Sequence, residues 1–579
     1  MTKKIIQRAI NDHSVDLGSD MPPILQRIYS ARGVASVTEL ERTLNQLLPV
    51  TDLLNIDQAV DVIIDAICHD KKILIVADFD CDGATSCTVA VRGLQALGAT
   101  SVQYLVPNRF EYGYGLTPEI VEVAAEYEPE LLITVDNGIS SIQGVARARE
   151  LGMQVVVTDH HLQGATLPNA NAIVNPNQQG DEFASKNLAG VGVIFYVLLA
   201  CRARLRAIDW FQSRDMQEPN LAVLLDLVAL GTVADLVPLD ANNRILVEQG
   251  LRRIRAGKGC AGIEALLQIS GRKFNRVVAS DMGFALGPRL NAAGRLEDMS
   301  VGIECLLSES PERAIELAQQ LDNLNQERKQ IESDMREQAF AVLEKLQVDT
   351  DEGQIPAAIC LYDESWHQGV IGILASRIKE RYHRPVIIFA NGAEGEIKGS
   401  ARSIPGVHIR DALDAVATRH EGLITKFGGH AMAAGLSLES DKLDVFTEAF
   451  REEVLRWVDE EDLQGCIHTD GELESQDYRI DVAELLRDAG PWGQGFPEPV
   501  FEGEFKVINQ RIVGERHLKM VLQPTHSSKT IDAIAFNAVD NECPADHQSV
   551  RLAYRLDVNE FRGQRSLQLM VEYLEVLSA

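Results

Sequence analysis

The stretch from Lys71 to His161 constrains the fold more than any other part of the chain. Four short apolar runs, Ile73–Ala77, Val102–Val106, Leu131–Val135 and Val155–Thr158, alternate with helix-like segments over Ala84–Leu97, Pro118–Tyr127 and Ser140–Leu151. The runs are continuously apolar, so each strand expects burial on both faces, and the interleaved helices supply the cover. This order predicts an α/β domain built on a parallel sheet.

The strands run into acids. The first leads to Asp78-Phe79-Asp80-Cys81-Asp82-Gly83, the third to Asp136-Asn137-Gly138 and the fourth to Asp159-His160-His161. In an open parallel sheet the carboxyl ends of the strands share one edge, and ligands bind in the crevice there. Several carboxylates and two imidazoles therefore meet at one locale, where like charges repel unless a cation sits among them. Carboxylate oxygens with one or two histidine nitrogens suit Mn²⁺ or Mg²⁺ better than Zn²⁺. A single Asp136 or Asp159 could instead cap a helix. An isolated Asp-x-Asp-x-Asp-Gly could open a calcium loop, but Val89 stands where that loop needs a bidentate Glu. Asp235, in Gly231-Thr-Val-Ala-Asp235, follows an apolar helix and is a further candidate for the same edge.

Composition narrows the class. A chain of 579 residues expects three or four domains at about 150 residues each. With 55 basic and 85 acidic residues the net charge is −30, which excludes coating of nucleic acid or anionic membrane through bulk charge but not a local site. Met1-Thr2-Lys3-Lys4 leads into Ile5–Arg8 without a signal-peptide run. The longest apolar stretch, Val191–Cys201, falls well short of the ~20 residues of a membrane helix. The 9 cysteines form no CxxC pair. A soluble cytoplasmic protein with reduced thiols and no membrane partner is expected.

Residues 1–45 carry few signals and are read as a helical lead-in. Leu317, Leu321, Leu324, Ile331, Met335, Ala339 and Val342 recur at three- and four-residue steps, which predicts one long amphipathic helix interrupted by Arg328. A connector between domains fits this imperfect stripe better than a coiled coil. A second α/β region begins near Ala357 and ends at the acidic run Asp459–Asp462. Runs at Phe501–Ile512, Leu518–Leu522, Ile531–Phe536, Val550–Val558 and Leu567–Leu574 predict a small barrel.

Together these motifs resemble the DHH phosphoesterase superfamily. Pro107-Asn-Arg109 leading to Gly113-Tyr-Gly115, Leu188-Ala-Gly-Val-Gly192 and Pro288-Arg-Leu-Asn-Ala-Ala-Gly-Arg295 resemble the RecJ group within it. Gly399-Ser-Ala-Arg-Ser403 and Lys426-Phe-Gly-Gly-His430 through Gly435 resemble its DHHA1 domain. The resemblance implies a lead-in over residues 1–45, a parallel-sheet DHH domain over 46–316 and a connecting helix over 317–346. A smaller α/β DHHA1 domain over 347–462 and an OB-fold β-barrel over 463–579 complete it.

The resemblance also implies an activity: 5′→3′ exonucleolytic hydrolysis of single-stranded DNA to mononucleotides, in DNA repair and recombination. Metal ligation falls to Asp80, Asp82, Asp136, His160 and Asp235, with two ions of Mn²⁺ or Mg²⁺. Asp159 orients or supplies a ligand, Asp78 supports the centre from behind, and His161 contacts the phosphate or protonates the leaving oxygen. Val76 stands where some relatives outside the group carry a ligand histidine. Arg109, Arg289, Arg295, Ser400, Arg402, Gly428, Gly429 and His430 are candidates for holding the 5′ end of the strand. Basic clusters at Arg202–Arg206, Arg252–Arg255 and Arg272–Arg276 are candidate strand tracks. Single-strand-binding protein and a helicase are implied partners. The competing readings are a small-molecule or oligonucleotide phosphodiesterase of the superfamily, which usually lacks the barrel, and a non-catalytic scaffold, in which the acids would be eroded.

Overall fold

The computed structural model describes residues 3–9, 17–108, 112, 115–349, 355–393, 395–459, 462–514, 516–536, 538, 548–561 and 563–577. Arg109, Gly113 and Tyr114, and Glu460 and Glu461 of the acidic run, lie outside the described residues. The chain divides into two compact units. One comprises Ile10–Asn325 with Asp481–Pro499; the other comprises Met1–Ala9, Gln326–Ile480 and Val500–Ala579.

The first unit holds the parallel sheet. Its strands are β1 (Ile73–Ala77), β2 (Val102–Leu105), β3 (Leu131–Val135), β4 (Gln154–Thr158) and β5 (Ala172–Val174). They pair in the order 2-1-3-4-5, all parallel. β1 and β3 are buried along their whole length, as their unbroken apolar runs require. The order reverses between β1 and β3, so their carboxyl ends flank the topological switch point where such sheets open a crevice. Helix α1 (Cys81–Ala96) leaves β1 directly and is buried on nearly every side by α2 (Gly190–Ala207) and α3 (Leu225–Ala234). The opposite face of the sheet packs Leu74, Val76 and Leu132 against Ile120 and Val145 of two shorter helices.

Helix α4 runs over Pro311–Asp349, longer at both ends than the apolar repeat suggests. Within the second unit its Met335, Ala339 and Leu343 join the core that also holds Ile359, Leu374 and Ile388. Arg328, the break in the apolar stripe, is 8% exposed and donates to Glu332 at 2.8 Å, which in turn accepts from Arg377 at 3.0 Å. The interruption is an ion-pair chain that runs from buried Arg328 and Glu332 out to the half-exposed Arg377.

The second unit contains a mixed sheet of β6 (Ile359–Tyr362), β7 (Val386–Asn391), β8 (Glu396–Arg402), β9 (Lys426–Gly429) and β10 (Ala433–Glu439), in the order 9-10-8-7-6. It also holds a closed barrel of β11 (Phe501–Val513), β12 (His517–Pro524), β13 (Ile531–Ala535), β14 (Ser549–Phe561) and β15 (Gln564–Val576). The barrel order is 11-12-13-15-14, and antiparallel pairing of β11 with β14 closes it. Phe501, Phe505 and Tyr554 fill its interior.

Two expectations are corrected. The lead-in is not simply helical: Lys4–Gln7 is a strand parallel to Cys466–Thr469, and Pro23–Ser30 is its α-helix. The span from residue 463 onward is not one domain either, because Asp481–Pro499 belongs with the first unit. There Leu239 donates to the Gln494 carbonyl at 2.7 Å, and Arg244 lies 4.2 Å over the Phe496 ring. Both corrections involve partners remote in sequence. Among the described residues, no helix is long and apolar enough to cross a membrane, and the cysteines are free thiols.

Candidate metal centre

The backbone at the ends of β1, β3 and β4 determines where each acid points. Asp80 is the N-cap of α1 and accepts from the Gly83 N–H at 3.0 Å. Asp82, in the first turn, turns inward and accepts the Gly190 and Val191 N–H groups at 2.6 and 3.0 Å. Those are unsatisfied donors at the start of α2, so one carboxylate anchors a second helix to the site. Asp136 sits in the left-handed region at φ 61 and donates its N–H to Thr158 at 3.0 Å. Next to it, Asn137 Nδ2 donates to the carbonyls of Val76 (3.2 Å) and Val135 (2.9 Å), joining β1 and β3 across the switch point. Asp235 caps the C-terminal end of α3 and is followed by Leu236, also left-handed at φ 62. Two non-glycine residues in this region at one locale store strain that the surrounding packing must hold.

Helix approach is close enough to exclude side chains. A β-carbon at Gly190 would lie 2.6 Å from the Asp136 carboxylate, and one at Gly231 would lie 2.2 Å from Thr85 Oγ1. The glycines of the Leu188–Gly192 and Gly231–Asp235 motifs thus let α2 and α3 close over the acids.

His160 Nε2 is the point of convergence. It lies 3.1 Å from Asp136 Oδ1, 3.5 Å from Asp235 Oδ2 and 4.0 Å from Asp82 Oδ2. Three overlapping sets, Asp136–His160–His161, Asp82–His160–Asp235 and Asp78–Asp80–Asp136, each bring ligand atoms within 4.8 Å of one another. Burial, then the charge of Asp80, pushes the Asp82 carboxyl up to about 7. Burial first, and the neighbouring carboxylates second, drive Asp136 and Asp235 well above the usual carboxylate range. A divalent cation among these carboxylates would offset their mutual repulsion and favour the ionised form of all three. An oxygen-rich donor set with imidazole fits Mn²⁺ or Mg²⁺.

Asp159 faces away from that cluster. Its Oδ1 accepts the N–H groups of His160 (2.7 Å) and His161 (3.1 Å) and lies 2.7 Å from His161 Nδ1, while Oδ2 accepts from Ile139 at 2.9 Å. Burial is the largest single influence and opposes its ionisation, but the hydrogen bond from His161, the charges of both histidines and the Ile139 N–H together hold the carboxyl below its usual value. His161 shows the reciprocal effect: burial disfavours its charge, yet the Asp159 contact raises it to about 9. Asn175 donates to the His161 carbonyl at 2.9 Å and Asn177 to the His160 carbonyl at 2.6 Å, pinning the histidine turn from the end of β5. Neither asparagine stands out in sequence; the Asn-Pro-Asn turn after a short apolar run is the signal that could have found them.

The remaining candidates fall into two groups. Arg289, on the helix Gly287–Leu296, binds Asp322 at 2.8 Å and the Ala285 carbonyl at 2.6 Å. Arg295 lies half-buried on the same helix, and Asn291 from it accepts the Cys81 N–H at 2.7 Å, a link to the acidic loop that sequence reasoning missed. The second unit holds the others. Ser400 on β8 pairs with Gly435 on β10, which pairs with Gly428 on β9, forming one row across three strands. Arg402 donates to Ser400 Oγ at 3.1 Å and to the Ala401 carbonyl at 2.8 Å, and burial holds its pKa below the usual guanidinium value. Gly429 pairs with Ala434, and His430 donates its N–H to Ala433 at 2.8 Å. Several of the basic-track arginines are engaged internally: Arg204 with Asp61, Arg206 with Glu218, Arg252 with Glu248 and Arg272 with Asp281.

Residues 72–232 match the DHH family, N-terminal domain; residues 354–455 match the DHHA1 domain; residues 469–573 match the RecJ OB domain. The chain is 54% identical to the single-stranded-DNA-specific exonuclease RecJ of Salmonella typhimurium and 53% identical to that of Escherichia coli K12, covering 98% of both chains in each case. It is similar in structure to RecJ of Thermus thermophilus in complex with Mn²⁺, with a TM-score of 0.79 at 28% identity over 100% of this chain and 80% of that one. The Mg²⁺ complex of the same protein gives 0.73 at 26% identity, over 100% and 79%.

Proposed function

Because the chain belongs to the RecJ family of single-stranded-DNA-specific exonucleases, we propose that it hydrolyses single-stranded DNA to mononucleotides from the 5′ end. The observation that carries this reading is the convergence of Asp82, Asp136 and Asp235 on His160 Nε2. We assign metal ligation to Asp80, Asp82, Asp136, His160 and Asp235, as a centre for two ions of Mn²⁺ or Mg²⁺. When bound, such ions lower the pKa of a water and offset the charge of the phosphate under attack.

The chain's own residues do the rest. Asp159 fixes the His161 ring through Nδ1, which leaves Nε2 as the nitrogen turned to the substrate. The Asp159 carboxylate favours the protonated form of that imidazole, suited to contacting a phosphate oxygen or giving a proton to the leaving oxygen. Asp78 supports the carboxylates from β1. Arg109, Arg289, Arg295, Ser400, Arg402, Gly428, Gly429 and His430 are assigned to holding the 5′ end of the strand. Arginine forks and backbone N–H groups recognise such phosphates. Single-strand-binding protein and a helicase as partners, DNA repair and recombination as setting, and the cytoplasm as compartment rest on the family reading alone.

The polarity is tested with oligonucleotides blocked by phosphorothioate linkages at one end, incubated with Mn²⁺. A block at the 5′ end should stop release of mononucleotides and a block at the 3′ end should not. Degradation that stops only with the 3′ block would overturn the assignment.

A further inference from the structure

A cavity of about 560 Å³ opens in the first unit at the far end of α1 from the carboxylates. Arg92 and Gln95, from the last turns of that helix, form part of its wall. Asp80 caps the other end of the same helix, so the cavity stands about 18 Å along the axis from the acidic loop.

Three cations line it: Arg92, Arg253 and Lys258. Arg92 Nη2 donates to the Leu306 carbonyl at 2.7 Å and Arg253 Nη2 to the Lys258 carbonyl at 2.8 Å. These carbonyl contacts orient the two guanidinium groups, and the buried Asp226 carboxylate acts electrostatically on both. Arg253 Nε is buried and makes no hydrogen bond. Among the described residues none of the three cations forms an ion pair, although Arg204, Arg206, Arg252 and Arg272 of the same unit all do. In a chain of net charge −30, three cations around one concavity, set against Asp226 and Glu309, leave a local excess of positive charge. The lining contains one carboxylate, Glu309, on an exposed turn. Asp226 lies buried nearby and accepts the Cys260 N–H at 2.7 Å.

The rest of the wall has a different character. Pro219, Leu221, Val223 and Leu224 present apolar surface, with Val223 51% exposed. A concavity that offers cations together with an uncharged apolar wall matches a ligand that is anionic at one end and flat and apolar at the other. Its volume is within the range of small-molecule sites, roughly 300–1,000 Å³.

We propose that this cavity binds a mononucleotide, with its phosphate on Arg92, Arg253 and Lys258 and its base against Pro219, Leu221 and Val223. The dianionic phosphomonoester would meet guanidinium and ammonium groups on the cavity wall. The site is separate from the metal centre and takes part in no bond-breaking step.

The test is calorimetric titration of the full-length protein in EDTA, so that no turnover occurs, with dAMP, inorganic phosphate and deoxyadenosine as separate probes. dAMP should bind at one site at least about tenfold more tightly than phosphate or deoxyadenosine, since each lacks one half of the match. The double variant R92Q/K258Q should lose at least about tenfold in dAMP affinity, with its Mn²⁺-dependent nuclease rate unchanged. K258E, a change on an exposed side chain that leaves folding intact, should weaken dAMP in the same direction. Equal affinity for dAMP and phosphate, equal affinity for dAMP and deoxyadenosine, no binding of dAMP, or full affinity in both variants would overturn the proposal. None of these outcomes bears on the nuclease reading, which the metal-free titration does not exercise.

Discussion

Asp159 Oδ1 lies 2.7 Å from His161 Nδ1 and, with the same oxygen, accepts the backbone N–H groups of both histidines of the motif. One buried carboxylate therefore sets the ring orientation of His161 and the backbone turn of the pair. We propose that Asp159 acts through His161, as a positioning residue.

That relationship predicts non-additivity. D159N removes the charge that holds the His161 Nδ1–H, and H161Q removes the ring itself. Each should lower kcat by about 10²–10⁴-fold, the range for a displaced or missing proton donor. The double variant should be no slower than H161Q alone, because the residues work as a unit. Single-turnover rates at saturating Mn²⁺ check this, and multiplicative losses would show independent roles.

The crowding of carboxylates predicts that the metal-free protein is held back by its own site. Asp136 lies 2% exposed, among charges of its own sign. D136N should raise the melting temperature in EDTA while reducing the further rise that Mn²⁺ gives to wild type, since binding to the native state stabilises by mass action. Differential scanning calorimetry with and without Mn²⁺ measures both changes.

The same centre predicts a pH dependence. The metal-free Asp82 carboxyl is raised from 3.8 to about 7, so the folded state gains from the bound proton below that range and loses the gain as pH rises through 7. Metal binding must displace this proton. The rise in melting temperature at a fixed Mn²⁺ concentration should therefore grow from pH 5 to about pH 7 and level off above it. A rise that is constant with pH would contradict the coupling.

Close helix approach predicts a distinctive effect of a single methyl group. G190A places a β-carbon 2.6 Å from the Asp136 carboxylate. Overpacking of this kind costs about 1–3 kcal/mol in stability. Here it should also weaken Mn²⁺ binding, which titration calorimetry would show, whereas G152A, at a turn glycine with open space around it, should leave Mn²⁺ affinity unchanged.

Much of this architecture was legible in the sequence because it rests on local pattern. β1, β3 and β4 announced themselves as unbroken apolar runs, and their terminal acids followed from the geometry of a parallel sheet. What was not legible depends on partners far away in the chain. β5 is three residues long and shows no periodicity. The strand Lys4–Gln7 exists only through pairing with Cys466–Thr469. The anchoring of Asp82 by the start of α2, the bridge made by Asn137 and the grip of Asn175 and Asn177 are likewise tertiary contacts, invisible to spacing. Arg289 and Arg402 looked alike as motif arginines, yet one is tied to Asp322 and the other is buried beside Ser400.

The most direct measurement is the release of labelled mononucleotide from 5′-end-labelled single-stranded DNA at saturating Mn²⁺, comparing wild type with D136A. The wild type should release the label rapidly, with duplex DNA and EDTA controls inert. D136A, lacking the carboxylate closest to His160 Nε2, should be slower by at least about 10³-fold, as expected where the metal centre supplies the nucleophile and the charge stabilisation. Equal rates for the two proteins would contradict the assignment of this centre to the hydrolysis.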